Sequence, residues 1–242
     1  MQSVLAKELK LQYGPVAILF SDDMPKGARQ ISEGKWGCVM AYYCLVMKKG
    51  LTAAFDRTTY GCIGAGVGLG FGDTYKPNRD FIEGLLTEEE GYLMTRSLVR
   101  EFMDDFPYID IPQRYVVFKP LEQIDESCES PALVSIPANA DQLSALAALI
   151  NYRRHGNDHI SAPFCAGCQS VCVIPYNESK RDYPRAILGN LDMSSRKILP
   201  SDILTFTVPF QTYREMEEDV NTSLIRKKTW LQIASRINLR TE

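Results

Sequence analysis

Two kinds of apolar pattern alternate along this chain: short unbroken runs, and longer stretches whose apolar residues recur at helical spacing. Val4, Leu5, Leu9 and Leu11 predict a short helix over Ser3 to Leu11, which Gly14-Pro15 stops. The run Pro15 to Phe20 (PVAILF) suits a buried strand, and the polar residues from Asp22 to Gly27 mark a loop. A buried helix is predicted from Gly37 to Lys49, closed by two lysines and Gly50. Leu51 to Asp56 reads as the next strand.

Residues 79–106 are charged and helical in period, and predict two helices, the second opening at a capping box of Thr87 and Glu90. Arg114 to Leu121 (RYVVFKPL) and the stretch PALVSIPA are strand candidates. Asn139 and Asp141 then cap a helix, DQLSALAALINYRR, that runs to Gly156. RAILGNL reads as a strand and turn, and ILTFTVPF as another strand. Tyr213 to Arg236 predicts one or two amphipathic helices with Trp230, Ile233 and Ile237 at core spacing. No repeat, linker or low-complexity tract interrupts this order. The expected fold is α+β: a single domain over residues 1–242, with a mixed β-sheet flanked by several helices.

One segment departs from both patterns. YGCIGAGVGLGFG carries glycine at 61, 64, 66, 68, 70 and 72. It misses the dinucleotide fingerprint by one residue, and Asp73, Thr74 and Pro77 interrupt the helix that should follow. It reads as a glycine-rich turn and helix that lets backbones pack closely, and such a backbone could also approach a cofactor.

Composition narrows the partners. Hydrophobic residues make up 45% and charged residues 24% of the 242 positions, as in ordinary globular proteins. A net charge of −3 and a pI near 5.6 argue against a general nucleic-acid binder. No apolar run approaches the ~20 residues that span a bilayer, and the first residues lack a signal-peptide core. The expectation is a cytoplasmic protein with no nucleic-acid or membrane partner.

The seven cysteines carry the candidate chemistry. Cys165, Cys168 and Cys172 lie in APFCAGCQSVC, with two and then three residues between them. That spacing allows three sulfurs to share a tetrahedral ion or an iron–sulfur cube, whereas a disulfide would use only two of them. A cube usually needs four thiolates, and Cys62 and Cys38 are the available donors. Cys44 falls inside an apolar helix as a packed thiol. Cys128 sits among acidic residues that disfavour a thiolate. Zinc is the competing reading: His155 and His159 precede Cys165 and Cys168, so a two-His, two-Cys site is countable, although it leaves Cys172 without a role. A thiol redox pair, Cys165 with Cys168, is a third.

Several pieces in order resemble the family labelled "domain of unknown function 169", common in archaea and anaerobic bacteria. They are PVAILF, Cys38 before a helix ending Lys-Lys-Gly, Cys62 with the glycine-rich run, RYVVFKPL, SIPANADQL, the Cys165 region and SSRKILPSDILTFTVP. The resemblance runs from about residue 4 to 237. It implies that Cys38 and Cys62, rather than Cys44, recur with a cysteine in the Cys165 to Cys172 region. It also implies further cysteines shortly before the arginine matched by Arg196, where this chain has Gly189-Asn190-Leu191-Asp192 instead.

The functional expectation is a cytoplasmic [4Fe-4S] protein of anaerobic metabolism. Cys165, Cys168 and Cys172 would be ligands, Cys62 the fourth and Cys38 nearby, with an electron-transfer partner or a small anionic ligand at an open iron. Arg57 or Arg196 would supply positive charge to such an anion. The alternative is a structural zinc-binding module.

Overall fold

The computed structural model describes residues 1–237. The last five positions of the expected domain span, 238–242, lie outside the described residues. In chain order the elements are α1 (Val4–Glu8), β1 (Val16–Ser21), α2 (Val39–Lys49), β2 (Ala53–Phe55), α3 (Ile63–Gly68), α4 (Arg79–Gly84) and α5 (Arg96–Asp104). They continue as β3 (Tyr115–Pro120), β4 (Leu133–Ala138), α6 (Ala140–Ile150), β5 (Ile160–Ser161), α7 (Ile174–Glu178) and β6 (Ala186–Gly189). The last are α8 (Met193–Arg196), β7 (Leu204–Pro209), α9 (Phe210–Asp219) and α10 (Lys228–Ala234). Wide π-helical turns extend α4 forward over Leu85–Glu89 and precede α7 over Gln169–Val173.

All seven strands join one mixed sheet in the order β2-β3-β1-β4-β7-β6-β5, antiparallel except for the β5–β6 pair. The fold class is therefore α+β. Both faces of the sheet are covered, which explains why its strands are apolar runs rather than alternating ones. Ala17, Leu19, Val117, Val134 and Phe206 point into one core, shared with residues of α1, α6, α9 and α10. Val16, Ile18, Val116, Phe118 and Leu133 point into the other, shared with α2, α3 and the 169–173 turn. Each fully buried Val, Ile or Phe contributes about 1.5–3 kcal/mol by leaving water.

Helix ends follow the chemistry of the sequence closely. Gly50 ends α2 in the left-handed conformation, and Asn139 with Gln142 forms a reciprocal capping box at α6. The second helix of residues 79–106 starts elsewhere than expected. Thr87 lies inside the continuous π-helical turn, its hydroxyl donating to the Glu83 carbonyl, and Thr95 caps α5 instead. Glu83 explains the difference: it is fully buried and accepts two hydrogen bonds from Arg100, so the first helix is held through that turn. The segment after Cys168 is helical from Gln169 to Glu178.

Candidate functional site

The site is built on two close approaches of backbone. Gly61 has φ +80°, and a β-carbon there would lie 2.4 Å from the Gly37 carbonyl oxygen and 2.3 Å from Ile31 Cδ1. Only glycine permits that conformation and that contact. The residues that follow each glycine are Cys38 and Cys62, which occupy the N-cap positions of α2 and α3. The Cys62 sulfur accepts from the Ala65 amide at 3.4 Å.

Gly167 brings in the second loop. A β-carbon on it would lie 2.6 Å from Asn190 Oδ1 and 2.8 Å from Met40 Cγ. The Cys165-to-Cys168 loop is thus wedged between the first turn of α2 and the segment leading to α8. Hydrogen bonds hold it there. Ala166 donates its amide to Gln169 Oε1 at 3.1 Å, and Ser170 Oγ donates to the Gly167 carbonyl at 2.9 Å while accepting from the Asn190 amide at 3.1 Å. Asn190 is fully buried at φ +61°, and its Oδ1 has no hydrogen-bond partner among the described residues.

These contacts produce a cavity of about 440 Å³. Cys38, Cys62, Cys165 and Asp192 line its floor, and Phe81, Leu86 and Met103 are among the apolar side chains of its roof. The roof is a small separate apolar cluster of α4, its π-helical turn and α5, resting on Ile63 of α3. At the rim, Trp36 meets Phe81 edge-to-face at 6.0 Å, and Tyr92 meets Phe164 at 5.5 Å. Glu90 stands beside them, accepting from Ser194 Oγ at 2.8 Å and pairing with Lys197 at 3.5 Å.

Burial governs the thiols. It pushes Cys62 up to about 11 and Cys165 up to about 12, and raises Cys38 despite the opposing amides of Met40 and Ala41. Cys168 is buried, does not line the cavity, and is raised well above an ordinary thiol, first by burial and then by Cys62, Cys38, Asp192 and Cys172. Asp192 also opposes ionisation of Cys38 and Cys165. Its carboxylate caps α8, accepting from the Ser195 amide at 2.9 Å and the Ser195 hydroxyl at 2.7 Å. In such surroundings the thiols stay protonated and are poor nucleophiles, which argues against a thiol redox pair. A cation placed among them would reverse the preference.

Not all of the expected cysteines line the cavity. Cys172 is fully buried in the core under the sheet and does not line the cavity. Burial alone pushes it up to about 12. Of the close triple only Cys165 lines the cavity; Cys168 and Cys172 are both buried in the same core cluster, whereas Cys38, which stood outside the expected metal set, lines the floor. Among the described residues no group of three or more His, Cys, Asp or Glu side chains is arranged to hold a metal ion. His155 and His159 do not reach the cavity; His159 Nε2 lies 2.8 Å from the His155 carbonyl oxygen. The two-His, two-Cys arrangement is not formed.

The two arginines are also elsewhere. Arg196 donates to the carbonyl oxygens of Ile203, Pro200 and Ser201, closing the turn after α8. Arg57 is exposed beside a different surface cavity, next to Asp56 and Arg114. Asp192, Glu90 and the apolar roof were not anticipated. Asp192 carried a local signal, since Asp is a favoured helix cap, but nothing in sequence ties it to cysteines 24 to 154 positions away.

Fold and site together define a two-faced α+β protein with an apolar pocket floored by thiols. Within that class the chain belongs to the family of domain of unknown function 169, described as an uncharacterised ArCR, whose model matches residues 4–219. No curated protein and no solved structure matches it. Among the described residues no helix is long and apolar enough to cross a membrane.

Proposed function

We propose that this chain is a [4Fe-4S] protein whose cluster is held by Cys38, Cys62, Cys165 and Cys168. One observation carries the reading: cysteines from three separate chain segments meet at the base of one apolar pocket. Four thiols, Cys165 and Cys168 buried and Cys38 and Cys62 half-buried, are all raised by desolvation and unfavourable as thiolates, and a cationic iron–sulfur core is the partner that suits them. A cube is bound at its corners by one thiolate each, so its ligands need not crowd together as those of a single ion do. That difference favours the cluster over zinc in a site without a single-ion ligand group.

The cluster would supply electron storage, or a Lewis-acidic iron if one thiolate is withheld. The chain supplies burial, exclusion of water by the apolar roof, and the negative charge of Asp192. Burial and negative charge both favour the more oxidised cluster and lower its potential. The reading includes a reducing cytoplasm of an anaerobe, where such thiols persist, and an electron-transfer partner.

Anaerobic reconstitution with iron and sulfide tests it. The expected result is a brown protein with about four irons and four sulfides per chain. Serine at position 38, 62, 165 or 168 should each lower that content. A colourless, iron-free product after reconstitution sinks the proposal.

A further inference from the structure

We infer that the same pocket is a binding site for a small molecule with an apolar body and a hydrogen-bond-donating, amine-like end. This deepens the proposed function of that site, yet rests only on the cavity. At about 440 Å³ it falls within the range of small-molecule sites, roughly 300–1,000 Å³. Its roof is apolar, and its rim carries two aromatic pairs whose members Trp36 and Phe164 are 63% and 53% exposed. Exposed aromatic rings at the mouth of an apolar cavity suit a ligand that enters ring or chain first.

Charge selects the polar end. The lining includes the carboxylates of Glu90 and Asp192 and no Lys, Arg or His. Glu90 is held below the usual carboxylate range, chiefly by Tyr92 and then Ser194 and Lys197, and so is ionised at neutral pH. A carboxylate offers about four lone-pair sites, and Tyr92, Ser194 and Lys197 do not exhaust those of Glu90. The arginines that would welcome an anion serve elsewhere. A carboxylate or phosphate ligand would meet like charge from Glu90 and Asp192, with Lys197 already paired to Glu90, whereas an amine would find an acceptor at the rim and apolar walls beyond it.

Calorimetric titration of the full-length chain with 2-phenylethylamine and with 3-phenylpropionate tests this, because the two share a body and differ in the sign of the end. The amine should bind at least about tenfold more tightly. Glu90→Gln should shrink that preference to about threefold or less. Leu86→Trp, which fills the roof side of the cavity, should abolish binding of the amine while far-ultraviolet circular dichroism stays unchanged. Equal or tighter binding of the carboxylate, no amine binding at millimolar concentration, or unaltered binding to Leu86→Trp overturns the inference. The titration is run on metal-free and on reconstituted protein. Amine preference in a chain that takes up no iron would uphold this inference and sink the cluster; iron uptake without amine preference would do the reverse.

Discussion

The carbonyl oxygen of Gly37 occupies the space that a side chain on Gly61 would need, 2.4 Å from where its β-carbon would stand. That contact joins the entrances of α2 and α3 and so sets Cys38 beside Cys62. Gly61→Ala should cost about 1–3 kcal/mol, because it adds a left-handed strain to the clash. Urea unfolding reads the cost, and iron content after reconstitution should fall with it. Full iron loading in Gly61→Ala would show that the contact does not position the pair.

Cys172 separates core packing from ligation. Cys172→Ser buries a hydroxyl in an apolar core, at about 1–3 kcal/mol, and should leave iron and sulfide content unchanged. Cys168→Ser should lower both. Loss of iron in Cys172→Ser with retained Cys168 dependence would restore the original triple as the ligand set.

Raised thiol pKa values give the metal-free protein a defined response to alkaline pH. An ordinary thiol titrates near 9.0, whereas Cys62 is pushed up to about 11 and Cys165 and Cys172 to about 12. Above pH 9 the unfolded chain loses protons that the folded chain keeps. Their contribution to stability is thus whole below that point and is lost as pH rises through the folded values. Buried Tyr43 and Tyr213 shift in the same direction. Urea midpoints taken from about pH 8 to about pH 10 should therefore decline, and less steeply in the Cys62→Ser, Cys165→Ser double variant. A flat profile, or one identical in the double variant, contradicts the burial of these thiols.

Arg196 distinguishes a structural cation from a ligand-binding one. It donates to three carbonyl oxygens after α8, so Arg196→Met should cost about 2 kcal/mol in thermal or urea unfolding. Its amine-to-carboxylate preference in the pocket should match that of the unaltered chain. A changed preference would return Arg196 to the site.

Asp192→Asn keeps a capping oxygen at α8 but removes a charge that opposes ionisation of Cys38, Cys165 and Cys168. Alkylation of these thiols by iodoacetamide in metal-free protein should reach half its maximum at lower pH than in the parent chain. A rate profile that does not move, or moves upward, would show that Asp192 is not electrostatically coupled to them.

Much of the framework was legible because it rests on local pattern. PVAILF, RYVVFKPL and ILTFTVPF are strands for the reason they looked like strands, and Lys48-Lys49-Gly50 ends a helix by its own chemistry. Thr87 and Glu90 misled because a capping box is a local signal, and the buried Glu83–Arg100 pair overrode it. Cys172 shows the same limit of local pattern. Spacing of two and three allows convergence, but the wide turn at residues 169–173 buries the Cys172 sulfur in the core, beside that of Cys168 in the same cluster.

The sequence by itself determined most of the strands and helices, marked Cys165, Cys168 and Cys172 by their short-range spacing, and offered Cys62 and Cys38 as further donors by residue type. Only the tertiary structure decided which of the cysteines face one cavity, that Asp192 joins them, and that the cavity has an apolar roof and no lining cation. Those relations depend on segments separated by many residues meeting where the Gly61 backbone lies against the Gly37 carbonyl and where Gly167 lies against the Asn190 side chain. A glycine in sequence reports the freedom to make such a contact, while its partner is set by how the sheet and its two helical layers pack.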